Sequence, residues 1–239
     1  MTFSLSKICK NYGKKVILKD VSLSANAGEC IALLGENGSG KSTLISILSG
    51  VLKPDSGDAF IDEEKIFQNK KIISKTIGYV PQQNPLIEEL SALDNLKLWY
   101  SKTDLQESLQ NGMLKLLGIP DFLKRPVSKL SGGMKKRLSI GCAIAKNPKI
   151  LLLDEPTAAL DIICKETIYN YCRNFVSNGG ILILATHEIS ELEFCSRCYI
   201  LKQGTLIPYD KDKNLNSLLD AIKKWITIFL TKKLSSNAS

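Results

Sequence analysis

The stretch from Cys30 to Leu52 constrains this chain more than any other. Cys30-Ile31-Ala32-Leu33-Leu34 is a short unbroken apolar run, as a parallel strand buried on both faces requires. Gly35-Glu36-Asn37-Gly38-Ser39-Gly40-Lys41-Ser42-Thr43 follows it and fits the phosphate-binding loop pattern GxxxxGK[ST]. From Ser42 to Leu52 the apolar residues Leu44, Ile45, Ile47, Leu48 and Val51 recur at helical spacing, which predicts a helix. In such a strand–loop–helix unit, backbone N–H groups and the helix N-terminus face the phosphates, and glycines permit the close approach. Lys41 is expected to reach the β- and γ-phosphates, and Ser42 to place its hydroxyl on Mg²⁺. A glycine turn that merely capped a helix would leave Lys41 without a purpose.

The rest of the chain supplies a sheet for that unit. Phe3 to Ser24 alternates apolar and polar residues and breaks at Gly13 and Gly28, which predicts strands and turns. Ala59-Phe60-Ile61 and Ile77-Gly78-Tyr79-Val80 predict further strands, the second stopped by Pro81. From Ser91 to about Lys146 the pattern turns helical. Ser91 with Asp94 makes a capping box for a helix through Asn95, Leu96, Leu98 and Trp99, and Leu109, Met113, Leu116 and Leu117 continue the spacing. Buried strands return at Ile150 to Leu153 and Ile181 to Leu184, with a helix between them. The expected fold is α/β: a mainly parallel sheet around the P-loop, an N-terminal antiparallel β subdomain, and an inserted helical subdomain at about 84–149. The domain built on the P-loop is expected over 1–208 and a tail over 209–239.

Two further clusters carry chemistry. Ile150-Leu151-Leu152-Leu153-Asp154-Glu155-Pro156 sets two carboxylates at the end of a buried strand, and open parallel sheets bind ligands at the carboxyl ends of their strands. Asp154 is expected on the Mg²⁺ side. Glu155 is expected to act as the general base on a water facing the γ-phosphate. His187, the chain's single histidine, follows the strand Ile181 to Ala185. A lone histidine after a strand is usually structural, but this one lies downstream of both acids.

Leu130-Ser131-Gly132-Gly133-Met134-Lys135-Lys136-Arg137-Leu138 resembles the signature of the ATP-binding cassette (ABC) family, and with the P-loop before it and Asp154-Glu155 after it the resemblance covers residues 3–207. The resemblance implies the remaining roles. Tyr12 matches the aromatic residue that stacks on adenine, and Gln82, with Gln83 as a neighbouring alternative, matches the glutamine that joins Mg²⁺ and the attacking water to the helical subdomain. Ser131, Gly132 and Gly133 match the segment that binds the γ-phosphate of ATP held by the other subunit. Asp161 matches the loop that crosses between subunits, and His187 the switch histidine at the γ-phosphate. A head-to-tail dimer, homomeric or with another ABC ATPase subunit, is implied, with two ATP molecules sandwiched between its halves. The signature departs from the family's usual glutamine at Met134, and in this it resembles ATPases of export systems that work with a separate multi-span permease. A non-transport ABC ATPase, for example one of cofactor assembly, is the competing expectation.

Composition bounds this reading. Hydrophobic residues are 44% and charged residues 23% of 239, as in a folded globular chain. The start of the chain lacks the apolar core of a signal peptide, and no apolar run is long enough to span a bilayer. The expected location is therefore cytoplasmic, on the inner face of the cell membrane through the permease. Seven cysteines are expected as reduced thiols, and Cys195-Ser196-Arg197-Cys198 lacks the second pair of a zinc set. The net charge of +8 is read as a solvated lysine-rich surface, so no nucleic-acid partner is expected. Residues 215–234 place Leu218, Leu219, Ile222, Trp225, Ile226, Phe229 and Leu230 on one helical face bordered by lysines. That pattern predicts an amphipathic helix, docked on the core or lying against a membrane.

Overall fold

The computed structural model describes residues 1–209; the amphipathic helix expected at 215–234 lies outside the described residues. β1 (Thr2–Tyr12) and β2 (Lys15–Asn26) open the chain, and β3 (Cys30–Leu34) runs into the glycine loop and α1 (Lys41–Leu48). β4 (Ser56–Ile61), β5 (Glu64–Lys65), α2 (Lys70–Thr76) and β6 (Ile77–Val80) follow. The helical block holds α3 (Ala92–Lys97), α4 (Lys102–Gln110), α5 (Met113–Leu116), two 3-10 turns (Ile119–Phe122 and Val127–Lys129) and α6 (Gly132–Ala143). β7 (Ile150–Asp154), α7 (Ile162–Ser177), β8 (Ile181–Ala185), a 3-10 segment (Ile189–Phe194), β9 (Arg197–Lys202) and β10 (Thr205–Tyr209) complete it.

The strands form an antiparallel sheet in the order β2-β1-β4-β5 and a second sheet in the order β10-β9-β3-β8-β7-β6. Within the second, β3, β6, β7, β8 and β9 pair in parallel, and β10 closes the edge antiparallel. The unbroken apolar runs now have a cause. Ile31 and Leu33, Ile150 and Leu152, and Ile181 and Ile183 face a core shared with α1 and the antiparallel sheet. Cys30, Ala32 and Leu34, Leu151 and Leu153, and Leu182 and Leu184 face the opposite core, with α7 and the helical block. Each central strand is buried on both sides, so neither face has room for polar residues.

This topology decides where function can sit. Parallel strands carry their C-terminal ends to one edge, and β3, β6, β7 and β8 there deliver the glycine loop, Gln82, Glu155 and His187 respectively.

Several element ends differ from the sequence expectation. α1 stops at Leu48 because Gly50 turns the chain at φ 74, leaving Val51 73% exposed. Leu98 and Trp99 lie beyond α3 and are exposed. The run Leu109 to Leu117 is split between α4 and α5 by a turn at Asn111-Gly112, so tight that a Cβ on Gly112 would sit 2.7 Å from Ser108 Cα. Tyr209, placed in the tail from sequence, pairs with Cys198 as the last residue of β10. All seven cysteines are free thiols, and Cys195 Sγ lies 3.1 Å from Cys30 Sγ.

Candidate active site

The glycine loop is held in conformations that side chains resist. Gly35, Gly38 and Gly40 have φ of 149, 79 and 108, a region that favours glycine. A Cβ on Gly35 would come within 2.7 Å of both Leu201 O and Ser39 Oγ, so packing as well as φ demands glycine there. Gly40 is the N-cap of α1, and a Cβ on it would lie 3.2 Å from Ile17 O. Lys41 is only 5% exposed and donates to Gly35 O at 2.8 Å and Glu36 O at 3.2 Å, which curls the loop around its ammonium group. Burial lowers the Lys41 pKa, against the opposing pull of the Glu155 and Asp154 carboxylates. Tyr12, 52% exposed at the end of β1, pairs with Lys15, two residues before the Ile17 that abuts Gly40.

The carboxylates converge on the same edge. Asp154 is 2% exposed, and its Oδ1 is buried with no protein partner. Burial raises its pKa, while the hydroxyl of Ser42 and the charge of Lys41 pull it down. A buried carboxylate oxygen with spare lone pairs beside a serine hydroxyl fits a divalent cation, and the glycine cradle with Lys41 fits a triphosphate. Glu155 has φ 47, a left-handed conformation rare outside glycine. Its own N–H is fixed to Ala185 O at 2.9 Å, which turns its side chain out of the strand end. Gln82 Nε2 donates to Glu155 Oε2 at 2.7 Å, so Gln82 of the Gln82-Gln83 pair is the one that reaches the acid. His187 Nδ1 lies 3.5 Å from Glu155 Oε1. Residues 73 and 32 positions from Glu155 in sequence thus flank one carboxylate.

The signature residues stand apart. Ser131 is the N-cap of α6, accepting from Met134 N at 3.2 Å, and both it and Gly132 are exposed. Gly133 is buried, and a Cβ there would overlap Cys164 Sγ of α7. Asp161 caps α7 by accepting from Cys164 N at 2.9 Å, a bond that holds its carboxyl below the usual range. The signature and Asp161 are therefore packed together at two adjacent helix starts, with Ile162 and Ile163 exposed beside them.

Sequence reasoning did not find two further polar residues. Glu191 is fully buried and accepts from Thr157 Oγ1 at 2.5 Å, joining the segment after Glu155 to the segment after His187. Lys136 is 5% exposed and donates to the carbonyls of Pro81 and Gln82. Lys136 stands in a basic run and Glu191 in a segment with acids at 188 and 193, both of which read as surface, and only the fold reveals their burial.

Comparison with known proteins decides the family. Residues 18–158 match the family described as ABC transporter. This chain belongs to the ABC transporter family. A lantibiotic transport ATP-binding protein of Streptococcus pyogenes is 34% identical over 220 residues, covering 90% of this chain and 95% of that protein. The linearmycin resistance ATP-binding protein of Bacillus subtilis is 36% identical over 217 residues, covering 89% of this chain and 70% of that protein. The chain spans as little as 29% of the length of the curated relatives it matches. Among solved structures, a dimeric ATP-binding cassette in a post-hydrolysis state, bound to ADP and Pi, aligns with a TM-score of 0.77 at 30% identity, covering 89% of this chain and all of that one. The ABC cassette fold, expected as an α/β P-loop core with antiparallel and helical subdomains, is thereby established for this chain.

Proposed function

We propose that this ABC protein hydrolyses ATP as the motor subunit of an exporter, driving substrate through a separate multi-span permease at the cytoplasmic face of the cell membrane. The observation that carries the reading is Glu155, a carboxylate turned out of a buried strand end and held between Gln82 and His187 on the edge that also presents Lys41. The names of the lantibiotic-transport and linearmycin-resistance relatives support the transport part. Among the described residues no helix is long and apolar enough to cross a membrane.

The roles follow from position. Tyr12 offers its exposed ring to the adenine. The amides of residues 35–43 and the Lys41 ammonium take the phosphates of ATP. Ser42, Asp154 and Gln82 are the residues that would hold Mg²⁺, which when bound would offset the negative charge of the phosphates. Glu155 accepts a proton from the attacking water, and Gln82 and His187 fix the direction in which its carboxylate points. Ser131, Gly132 and Asp161 face outward, and together with the buried Gly133 behind them they are assigned to the ATP of a second subunit, identical or related, in a head-to-tail dimer.

The test is Glu155→Gln. It should keep ATP binding, lose hydrolysis by ~10²–10⁴-fold, and accumulate an ATP-bound dimer measurable by light scattering. Unchanged turnover in this variant would overturn the assignment of the base. A monomer at high concentration with ATP would overturn the dimer.

A further inference from the structure

The three cations that follow the signature, Lys135-Lys136-Arg137, are not a solvated basic run. Lys135 pairs with Glu88 at 2.6 Å, and Arg137 donates to Leu117 O at 3.1 Å while lying over the Phe122 ring. Lys136 points the other way, into the protein, where its Nζ lies 3.0 Å from both Pro81 O and Gln82 O. A lysine ammonium removed from water is costly unless its donors are used, so this contact is a committed one. Its acceptors are also unusual. β6 ends at Val80, and Pro81 has no N–H with which to continue a ladder. The two carbonyls beyond it are therefore free to turn toward a side chain instead of a strand.

We propose that Lys136 is a positioning residue which fastens the backbone of Pro81 and Gln82 to the signature helix, so that the signature and the Gln82 amide on Glu155 shift as one unit. The contacts form an unbroken line: Lys136 Nζ to Gln82 O, Gln82 Nε2 to Glu155 Oε2 at 2.7 Å, and Glu155 Oε1 to His187 Nδ1 at 3.5 Å. Ser131 heads the same helix that carries Lys136, five residues before it. Any displacement of the helix start when a second subunit docks is thereby passed to the base of the chain's own site. The inference rests on the proposed function for its catalytic consequence, but the fastening itself is a property of the fold. A line of contacts establishes coupling only when the coupling is measured.

A double-mutant cycle measures it. Lys136→Met keeps an unbranched side chain one atom shorter and removes its donors, and Gln82→Ala removes the contact to Glu155. Lys136→Met should lower kcat for ATP hydrolysis ~10- to 100-fold, the scale of a lost hydrogen bond to a charged group, with ATP affinity unchanged. The double variant should be no slower than the slower single variant, because both act through one residue. Lys136→Gln, a neutral donor able to make one of the two bonds, should fall between native protein and Lys136→Met. Hydrogen exchange reads the tie without activity: amides of residues 82–88 should exchange faster in Lys136→Met, and those of residues 150–154 should not. Losses that add in the double variant, or native exchange at 82–88 in both Lys136 variants, would overturn the proposal. A native protein that never hydrolyses ATP would overturn the proposed function instead, and the exchange result would then decide the tie alone.

Discussion

The carboxyl edge of the parallel sheet and the start of the signature helix are built in opposite ways. At the sheet edge, functional side chains meet one another: Lys41 is enclosed by its own loop, and Glu155 is flanked by Gln82 and His187. At the start of α6, Ser131 and Gly132 are exposed, and the Ser131 hydroxyl bonds only its own helix among the described contacts. The first region turns its side chains toward one another, with Asp154 Oδ1 left over for a ligand, and the second leaves Ser131 and Gly132 facing outward. Such an arrangement makes sense when each chain supplies half of two shared sites, which is how a head-to-tail dimer divides its work.

Mixing two defective variants attacks that division directly and carries the largest expected effect. Lys41→Ala should abolish hydrolysis by weakening nucleotide binding at the sheet edge, and Ser131→Arg should abolish it while ATP binding to the isolated chain persists. Loss of a single positioned donor to a developing phosphate charge costs ~10²–10³-fold. In a mixed dimer one site has an intact glycine loop from one chain and an intact signature from the other. Part of the ATPase rate should therefore return on mixing. If mixed dimers are demonstrated by cross-linking and no rate returns at any ratio, either the division between the two regions is wrong or both sites must close together. ATP-dependent dimerisation of the mixture separates those outcomes.

The two regions also differed in how far they could be read from sequence. The sheet edge was legible because strand ends impose order: a buried apolar run must stop, and the polar residues right after it must lie on one edge. Gly35 to Thr43 and Asp154-Glu155 were placed by that logic and His187 by the family resemblance, and the structure sets His187 3.5 Å from Glu155 on that edge. The helical block was legible in kind but not in detail. Its helices are short, and their limits are set by glycine turns and tertiary packing, as at Gly112 beside Ser108 and Gly118 beside Arg137. Lys136 and Glu191 escaped for a different reason. A charged residue carries no sign of burial in sequence, because burial depends on which distant carbonyl or hydroxyl comes to meet it.

Glu191 offers an intermediate effect at the sheet edge. Its carboxyl is buried, one oxygen accepts from Thr157, and the other has no hydrogen-bond partner. Burial raises its pKa, and Glu188 nearby adds to this, against the opposing Thr157 and Thr186 hydroxyls and Lys165. The sign follows from linkage. The folded protein holds this proton more tightly than the unfolded chain, so the associated stability is full below the unfolded pKa and is lost as pH rises through the folded one. Glu191→Gln keeps the acceptor for Thr157 and cannot ionise. It should match the native protein at acid pH and exceed it at alkaline pH, by about 1–3 kcal/mol, the cost of a poorly partnered buried polar group. Denaturant melts across pH would show the two curves diverging upward; parallel curves would mean that Glu191 does not ionise differently on folding.

The smallest effect separates two adjacent lysines of the signature helix. Lys135 and Glu88 are 23% and 59% exposed, so water screens their 2.6 Å contact and competes for both ends. Exposed pairs of this kind contribute ~0–1 kcal/mol and weaken with salt. Lys135→Ala should therefore lower stability by less than about 1 kcal/mol, with the difference vanishing at high ionic strength and ATP turnover unchanged. Both are lysines of α6 that reach the segment after β6, but Lys135 pairs with the exposed Glu88 carboxylate while the buried Lys136 holds the carbonyls of Pro81 and Gln82. If Lys135→Ala slowed hydrolysis as much as Lys136→Met, burial would not be what distinguishes them. The signature helix would then act on the Gln82 segment through its whole charged face rather than through one enclosed ammonium group.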